Sequence, residues 1–300
     1  MRRVAWAVAL GLMLGLASCG GSEDKPKPPP AAPLVVGTMN FPESEILGEL
    51  YTQALGAKGV RAVLQSAVGP REITNRALRS GDLDMYPEYV GVLLSEIHDV
   101  VERPESSEAA YELASDLERE DGFTLLEQTS FSNENALAVE KAFGRKHKLS
   151  AIPDLERLRA PKLLAAPEFA GRFEGLVGLR KTYGLRSLKL TPWEEAGEQY
   201  PALDDGKTDI AVVYTTDSQL ATGRYTVLRD PEGLFAEQHV APVISQKALE
   251  RLGPKLPGTI NAVSALLTTK VMRDLNAKVE TEKRPPREVA DEFLRANGLK

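Results

Sequence analysis

The sequence predicts an α/β protein built as two similar lobes. Its body opens as strand, tight turn and helix, the usual start of an α/β domain. One short pattern then occurs twice, once in each half of the chain. The body, Leu34 to Lys300, is long enough to bury two cores.

Taken in order, the first element is the β-prone run Leu34-Val35-Val36-Gly37. A helix should start near Asn40, with Pro42 at its first turn and Glu43 and Glu45 at the positive end of its dipole. Ile46, Leu47, Leu50, Tyr51 and Ala54 continue it at helical spacing, and Gly59 stops it. Asn40 has two readings: a helix cap, or a contact for an anionic group, because helix N-termini at a cleft bind negative charge. Val60 to Leu64 reads as a second strand, and Arg71 to Arg79 as a helix ending at Gly81.

The repeat carries the most information. Residues 77–89 read Ala-Leu-Arg-Ser-Gly-Asp-Leu-Asp-Met-Tyr-Pro-Glu-Tyr, and residues 202–214 read Ala-Leu-Asp-Asp-Gly-Lys-Thr-Asp-Ile-Ala-Val-Val-Tyr. Both give a helix end, a Gly able to take positive φ, an Asp, a short strand, and a Tyr at the strand's far end. Open α/β sheets present ligands at that end. Tyr89 and Tyr214 are therefore expected at a shared cleft, with Tyr86 as a further candidate. The stretches Glu127 to Leu137 and Gln238 to Pro242 read as crossovers. They divide the body into lobe 1 (34–135 plus 239–300) and lobe 2 (136–238). Lobe 2 should hold a helix from Arg172 to Tyr183. The last helix lies between Pro285-Pro286 and Gly298, with Val289, Ala290, Phe293 and Leu294 on one face.

Arg2 and Arg3 precede an uncharged apolar run from Val4 to Ala17. That run is shorter than the roughly 20 residues a bilayer span needs, so residues 1–18 read as a signal peptide. Leu16-Ala17-Ser18-Cys19 resembles the bacterial lipobox, which makes Cys19 the expected lipid attachment site and residues 19–33 a Pro-rich tether. Cys19 is also the only cysteine, which excludes a disulfide framework and a Cys-based metal site. Without the two leader arginines, 35 basic residues face 43 acidic ones. That balance argues against nucleic acid as a partner. No second apolar run approaches a membrane span, so membrane contact is expected only through the anchor.

Catalytic patterns are missing. Gly206-Lys207-Thr208 has Pro201 where a phosphate-binding loop needs Gly, and a strand follows it instead of a helix. His98, His147 and His239 have no metal-ligand spacing. There is no Gly-x-Ser-x-Gly motif. No catalytic residue, metal or cofactor is expected.

From Val36 to Leu299 the chain resembles the substrate-binding proteins of glycine betaine/choline/osmoprotectant ABC importers. The likeness rests on Asn40-Phe41-Pro42-Glu43, Leu47-Gly48-Glu49-Leu50-Tyr51, Gly81 to Tyr89, Glu168-Phe169 with Arg172, Gly175 to Gly184, Tyr214-Thr215-Thr216-Asp217 and Ala241-Pro242-Val243. It implies a type II periplasmic-binding-protein fold, two α/β lobes with two crossover strands and a ligand between them. It also implies a box of tyrosines that holds a trimethylammonium head by cation–π attraction. Tyr89 and Tyr214 match two walls of that box. Asn135 and Gln238 stand where the other two walls fall, Met39 replaces a basic residue, and Val92 replaces a Thr. Arg172 is the remaining match to a carboxylate contact, its other reading being an ordinary surface Arg. Asp217 has two readings, orienting the neighbours of Tyr214 or pairing with a cationic ligand.

The expected protein is thus a monomeric, lipid-anchored binding protein of the bacterial envelope, in the periplasm or on the outer face of the cytoplasmic membrane. It would deliver a small zwitterionic or cationic solute to an ABC permease. Two lost aromatic faces, replaced by amides, point to a more polar ligand. The rival expectation is a ligand-dependent sensor or scaffold docking to a membrane receptor.

Overall fold

The computed structural model describes residues 32–195 and 197–300. The expected signal peptide, Cys19 and the tether up to residue 31 lie outside the described residues.

Two five-stranded mixed sheets form the body. The strands are β1 (Leu34–Met39), β2 (Ala62–Gly69), β3 (Met85–Tyr89), β4 (Phe123–Leu125), β5 (Asn135–Glu140), β6 (Lys162–Ala165), β7 (Lys189–Pro192), β8 (Ile210–Tyr214), β9 (Tyr225–Val227) and β10 (Val240–Ser245). The first sheet runs β2-β1-β3-β10-β4 and the second β7-β6-β8-β5-β9. These are the same topology: β1 is parallel to β3 as β6 is to β8, and β10 is antiparallel to β3 as β5 is to β8.

The sequence repeat is also a structural one. After the helix Arg71–Ser80, Gly81 turns at φ 85°, and the amides of Asp82 and Leu83 return to the carbonyl of Ala77. After the helix Gln199–Asp204, Gly206 turns at φ 66°, and the amides of Lys207 and Thr208 return to the carbonyl of Ala202. Only a residue without a Cβ takes such φ values without strain. The repeated Asp then fastens the next strand to its neighbour. Asp84 Oδ2 accepts from the Val35 amide at 2.8 Å, and Asp209 Oδ2 accepts from the Lys162 amide at 2.8 Å.

Each sheet is covered on both faces. The helices Pro42–Ala57, Lys255–Ser264, Thr269–Glu280 and Pro286–Ala296 pack on one face of the first sheet, against Leu34, Val36, Met85, Val240 and Ile244. Leu78, Leu93 and Ala114 cover its other face over Tyr86, Ala241 and Val243. In the second sheet, Leu137, Leu163, Ile210 and Val212 face one cluster, while Ala138, Leu164, Ala211 and Val213 face another.

Two segments join the sheets, 126–134 outward and 236–239 back. They are stitched together. Ser132 bridges His239, the amide of Asn133 donates to the carbonyl of Gln238, and the amide of Gln238 donates to Ser132 Oγ at 2.7 Å.

Three readings need correction. Asn40 is not the helix cap: the cap position is Phe41, without a side-chain hydrogen bond, and Ser44 Oγ instead accepts from the Met39 amide. The helix expected from Arg172 runs regularly only over Gly178–Thr182, because the backbone at Glu174 and Gly175 is non-helical. Gly175 lies so close to the carbonyl of Phe169 that a Cβ there would sit 2.3 Å from that oxygen. Tyr86 is fully buried, and its hydroxyl lies between Asn75 and Glu88, so it is core. Strand neighbours three apart point to opposite faces, and Tyr86 and Tyr89 are such a pair.

Replacing Asp209 by Ala should cost about 1.5–3 kcal/mol in urea unfolding, the usual worth of a hydrogen bond to a charged group. Asp209→Asn, which keeps an acceptor, should recover most of it. An unchanged Asp209→Ala protein would reduce the repeated Asp to a sequence coincidence.

Candidate functional site

The C-terminal ends of β1 and β3 meet the crossing segments at one edge of the first sheet. Here the sequence buries a carboxylate. Pro42 opens the helix at its first position, which places Glu43 one residue further in with only 4% of its surface exposed. Glu43 Oε1 accepts from Tyr89 Oη at 2.6 Å and from Asn133 Nδ2 at 3.1 Å, and Oε2 accepts from Asn276 Nδ2 at 2.7 Å. All of these partners are neutral, and among the described residues no cation forms an ion pair with Glu43. Burial pushes its carboxyl above the ordinary 4.5, against the pull of its hydrogen bonds. Burial, followed by the adjoining Glu43 charge, holds the Tyr89 phenol well above its usual range.

Tyr89 itself is 7% exposed and stacks on Phe41 with ring centroids 6.3 Å apart. Its counterpart in the repeat is different: Tyr214 is 51% exposed. Asn135 lies directly opposite Tyr214 in the β5–β8 register, so the two side chains share a face. Asp217 accepts from Tyr200 Oη at 2.7 Å and from the Tyr214 amide at 3.0 Å. These bonds tie Asp217 to the turn that carries Tyr214. Burial raises its carboxyl, opposed by these two bonds.

Arg172 stands at an exposed edge, 63% open and only loosely paired with Glu168 at 3.9 Å. Burial and then the Asp217 charge raise the Tyr214 phenol, and the Arg172 charge opposes them. Phe173 beside it is also exposed. Gln238 lies on the return segment with its side chain against Gly91, where an added Cβ would fall 2.6 Å from Nε2, and its Oε1 has no partner. A cavity of about 700 Å³ opens next to it between the two lobes, lined by Gly91, Arg103, Glu174, Phe235 and Gln238 among others. Tyr89, Asn135, Arg172 and Tyr214 do not line that cavity. The structure thus places Asn135 beside Tyr214 and Asp217 in the turn that follows it, Asn135 being the first residue of β5 in the second sheet and so one residue past the expected lobe boundary, while Arg172 contacts Glu168. Tyr89 sits behind the edge of the first lobe, Gln238 lies at the cavity, and Asn40 is exposed at the end of β1.

Contacts across the lobes come from residues that the sequence reading passed over. Arg103 donates to the carbonyls of Leu234 at 3.0 Å and Gly233 at 3.3 Å, and pairs with Glu174 at 3.1 Å. Arg273 donates twice to the carbonyl of Thr215, and Asn276 donates to that of Thr216 at 3.0 Å. Glu43 was visible in sequence only as a first-turn acid. Its partners at positions 133 and 276 carry no local signal. Among the described residues no group of His, Cys, Asp or Glu is placed to hold a metal ion, and no helix is long and apolar enough to cross a membrane.

Two α/β lobes of one topology, joined by two stitched segments and bridged by polar contacts, define a two-lobe solute-binding protein. Residues 32–296 match the family of substrate-binding domains of ABC-type glycine betaine transport systems, and the chain belongs to that family. It is the binding component of an ABC transport system, which is not a catalytic role. The glycine-betaine-binding protein of Pseudomonas aeruginosa is 29% identical over 280 residues, covering 90% of this chain and 89% of that one. The ergothioneine transport permease/ergothioneine binding protein EgtU of Helicobacter pylori is 27% identical over 308 residues, covering 99% of this chain and 53% of its own length. Among solved structures, apo YehZ from Escherichia coli superposes with a TM-score of 0.79 at 26% identity, covering 90% of this chain and all of that one. The two-lobe periplasmic-binding-protein fold expected from the resemblance is the fold found.

The raised Glu43 carboxyl makes a signed prediction. The folded state binds that proton more tightly than the unfolded chain. Its contribution to stability is therefore complete below 4.5 and is lost as pH rises through the raised value. The unfolding free energy of the wild type relative to Glu43→Gln should grow as pH is lowered from neutral toward 4.5. Urea titrations at several pH values measure this, and a pH-independent difference would contradict the burial.

Proposed function

We infer that this chain is an extracytoplasmic capture lipoprotein, anchored through Cys19 on a tether of residues 19–33, that binds a small quaternary-amine or zwitterionic solute and hands it to an ABC permease. The half-exposed Tyr214, set beside Asn135 and within reach of the Arg172 charge, carries this reading. It offers one aromatic face to a cationic head, an amide to a polar group, and a loosely held guanidinium to a carboxylate. Lobe 1 (34–135 plus 239–300) and lobe 2 (136–238) would close about the crossing segments, bringing Tyr214 toward Tyr89. Relatives carrying glycine betaine, carnitine and ergothioneine in their names support the ligand class. With amides at Asn135 and Gln238, the site would favour a ligand with more hydrogen-bonding groups than glycine betaine.

Thermal unfolding against glycine betaine, choline, carnitine, proline betaine, ergothioneine and common amino acids tests the class. A ligand at a thousand times its Kd stabilises by about 4 kcal/mol, a rise of several degrees in Tm. A shift with none of the quaternary amines would overturn the class. Arg172→Glu should weaken glycine betaine or carnitine about tenfold while leaving choline, which has no carboxylate, nearly unchanged. Equal effects on both kinds of ligand would remove Arg172 from the carboxylate role.

A further inference from the structure

The hydroxyl of Tyr89 points into a buried polar junction. That junction links four separate parts of the chain: the first helical turn (Glu43), the end of β3 (Tyr89), the outward crossing segment (Asn133) and the helix Thr269–Glu280 (Asn276). It also reaches the second lobe. The same Asn276 Nδ2 that donates to Glu43 donates to the carbonyl of Thr216, next to the Asp217 that fixes the Tyr214 turn. Glu43, Tyr89, Asn276 and Thr216 are all buried, so these bonds form where water does not compete.

We propose that Glu43 is a positioning residue for the ligand site, holding the Tyr89 ring through its hydroxyl and tying that ring, by way of Asn133 and Asn276, to the hinge and to the turn that bears Tyr214. The proposal rests on the quaternary-amine reading given above. Three features support it. The Tyr89–Glu43 bond is short and made to a carboxylate, which places it among the strong hydrogen bonds. Both amides donate, so the carboxylate acts as the common acceptor for all of its partners. Asn276 Oδ1 has no partner, so that side chain is held by its two donations alone, one to each lobe. A ring fixed in this way needs no reorientation when a ligand arrives. The cost of ordering that side chain is then met on folding and not on binding.

The test uses the purified full chain, with choline and glycine betaine as probes in titration calorimetry. Tyr89→Phe keeps the ring and removes only the hydroxyl that bonds Glu43. It should weaken both probes about tenfold, the worth of one charge-assisted hydrogen bond. Glu43→Gln should weaken both to a similar extent, and the double variant should be no weaker than the poorer single one. A role limited to stability predicts a lower Tm with unchanged Kd, and that result would overturn the proposal, as would additive losses. If Glu43→Gln does not fold, the Tyr89→Phe arm decides alone: unchanged affinity overturns the proposal and a loss supports it. A wild type that binds neither probe overturns the quaternary-amine reading together with this one. Binding by the wild type and an unaffected Tyr89→Phe overturn this one only.

Discussion

Two sheets whose chain connections run through the segments 126–134 and 236–239 depend on how those segments are held. They run side by side without a full strand ladder, so individual side chains supply what the ladder lacks. Thr129 Oγ1 accepts from the Val240 amide at 3.2 Å, and Ser132 Oγ accepts from that of Gln238. The Thr215 hydroxyl donates to the Ser132 carbonyl and accepts from the Glu134 amide. Short polar side chains suit such a place because they satisfy backbone groups without filling space. They fix the lateral spacing of the two segments.

Much of the architecture could be read locally. The Ala-Leu-x-x-Gly-x-x-Asp pattern encodes a helix stop, a positive-φ turn and a strand clamp within a few residues, so the two copies announce both sheets. The last helix was marked by prolines and Gly298, and it packs against Pro42–Ala57 along the face that the sequence implied. What could not be read depends on distant partners. Glu43 obeys the dipole rule for a first turn, and that sufficient local explanation hid its meeting with residues from the middle and end of the chain. Tyr86 misled because a Tyr-x-x-Tyr spacing looks like one site in sequence but spans both faces of a strand. Gly175 hid a kink because only the nearby Phe169 carbonyl makes its missing side chain necessary.

The two halves of the site also differ in kind. On the first lobe the polar groups around Tyr89 are buried and bonded to one another, with Asn133 Oδ1 and Asn276 Oδ1 left without partners. On the second, Tyr214 and Arg172 are open, with Phe173 exposed beside them. A buried face changes little when solvent leaves it, whereas an open aromatic one gains from being covered.

The order of strands in the first sheet has a consequence for how the chain acquires its shape. β10 lies between β3 and β4, yet it follows the whole second sheet in sequence. All strands of the second sheet, by contrast, come from one uninterrupted stretch. The first sheet therefore cannot be completed until the last third of the polypeptide is available, and until then β3 and β4 present unpaired edges. Long-range pairing of this kind is slow and leaves sticky surface exposed. A nascent chain would pass through a stage with a finished second sheet and an unfinished first one, the stage at which assistance against aggregation has most to offer.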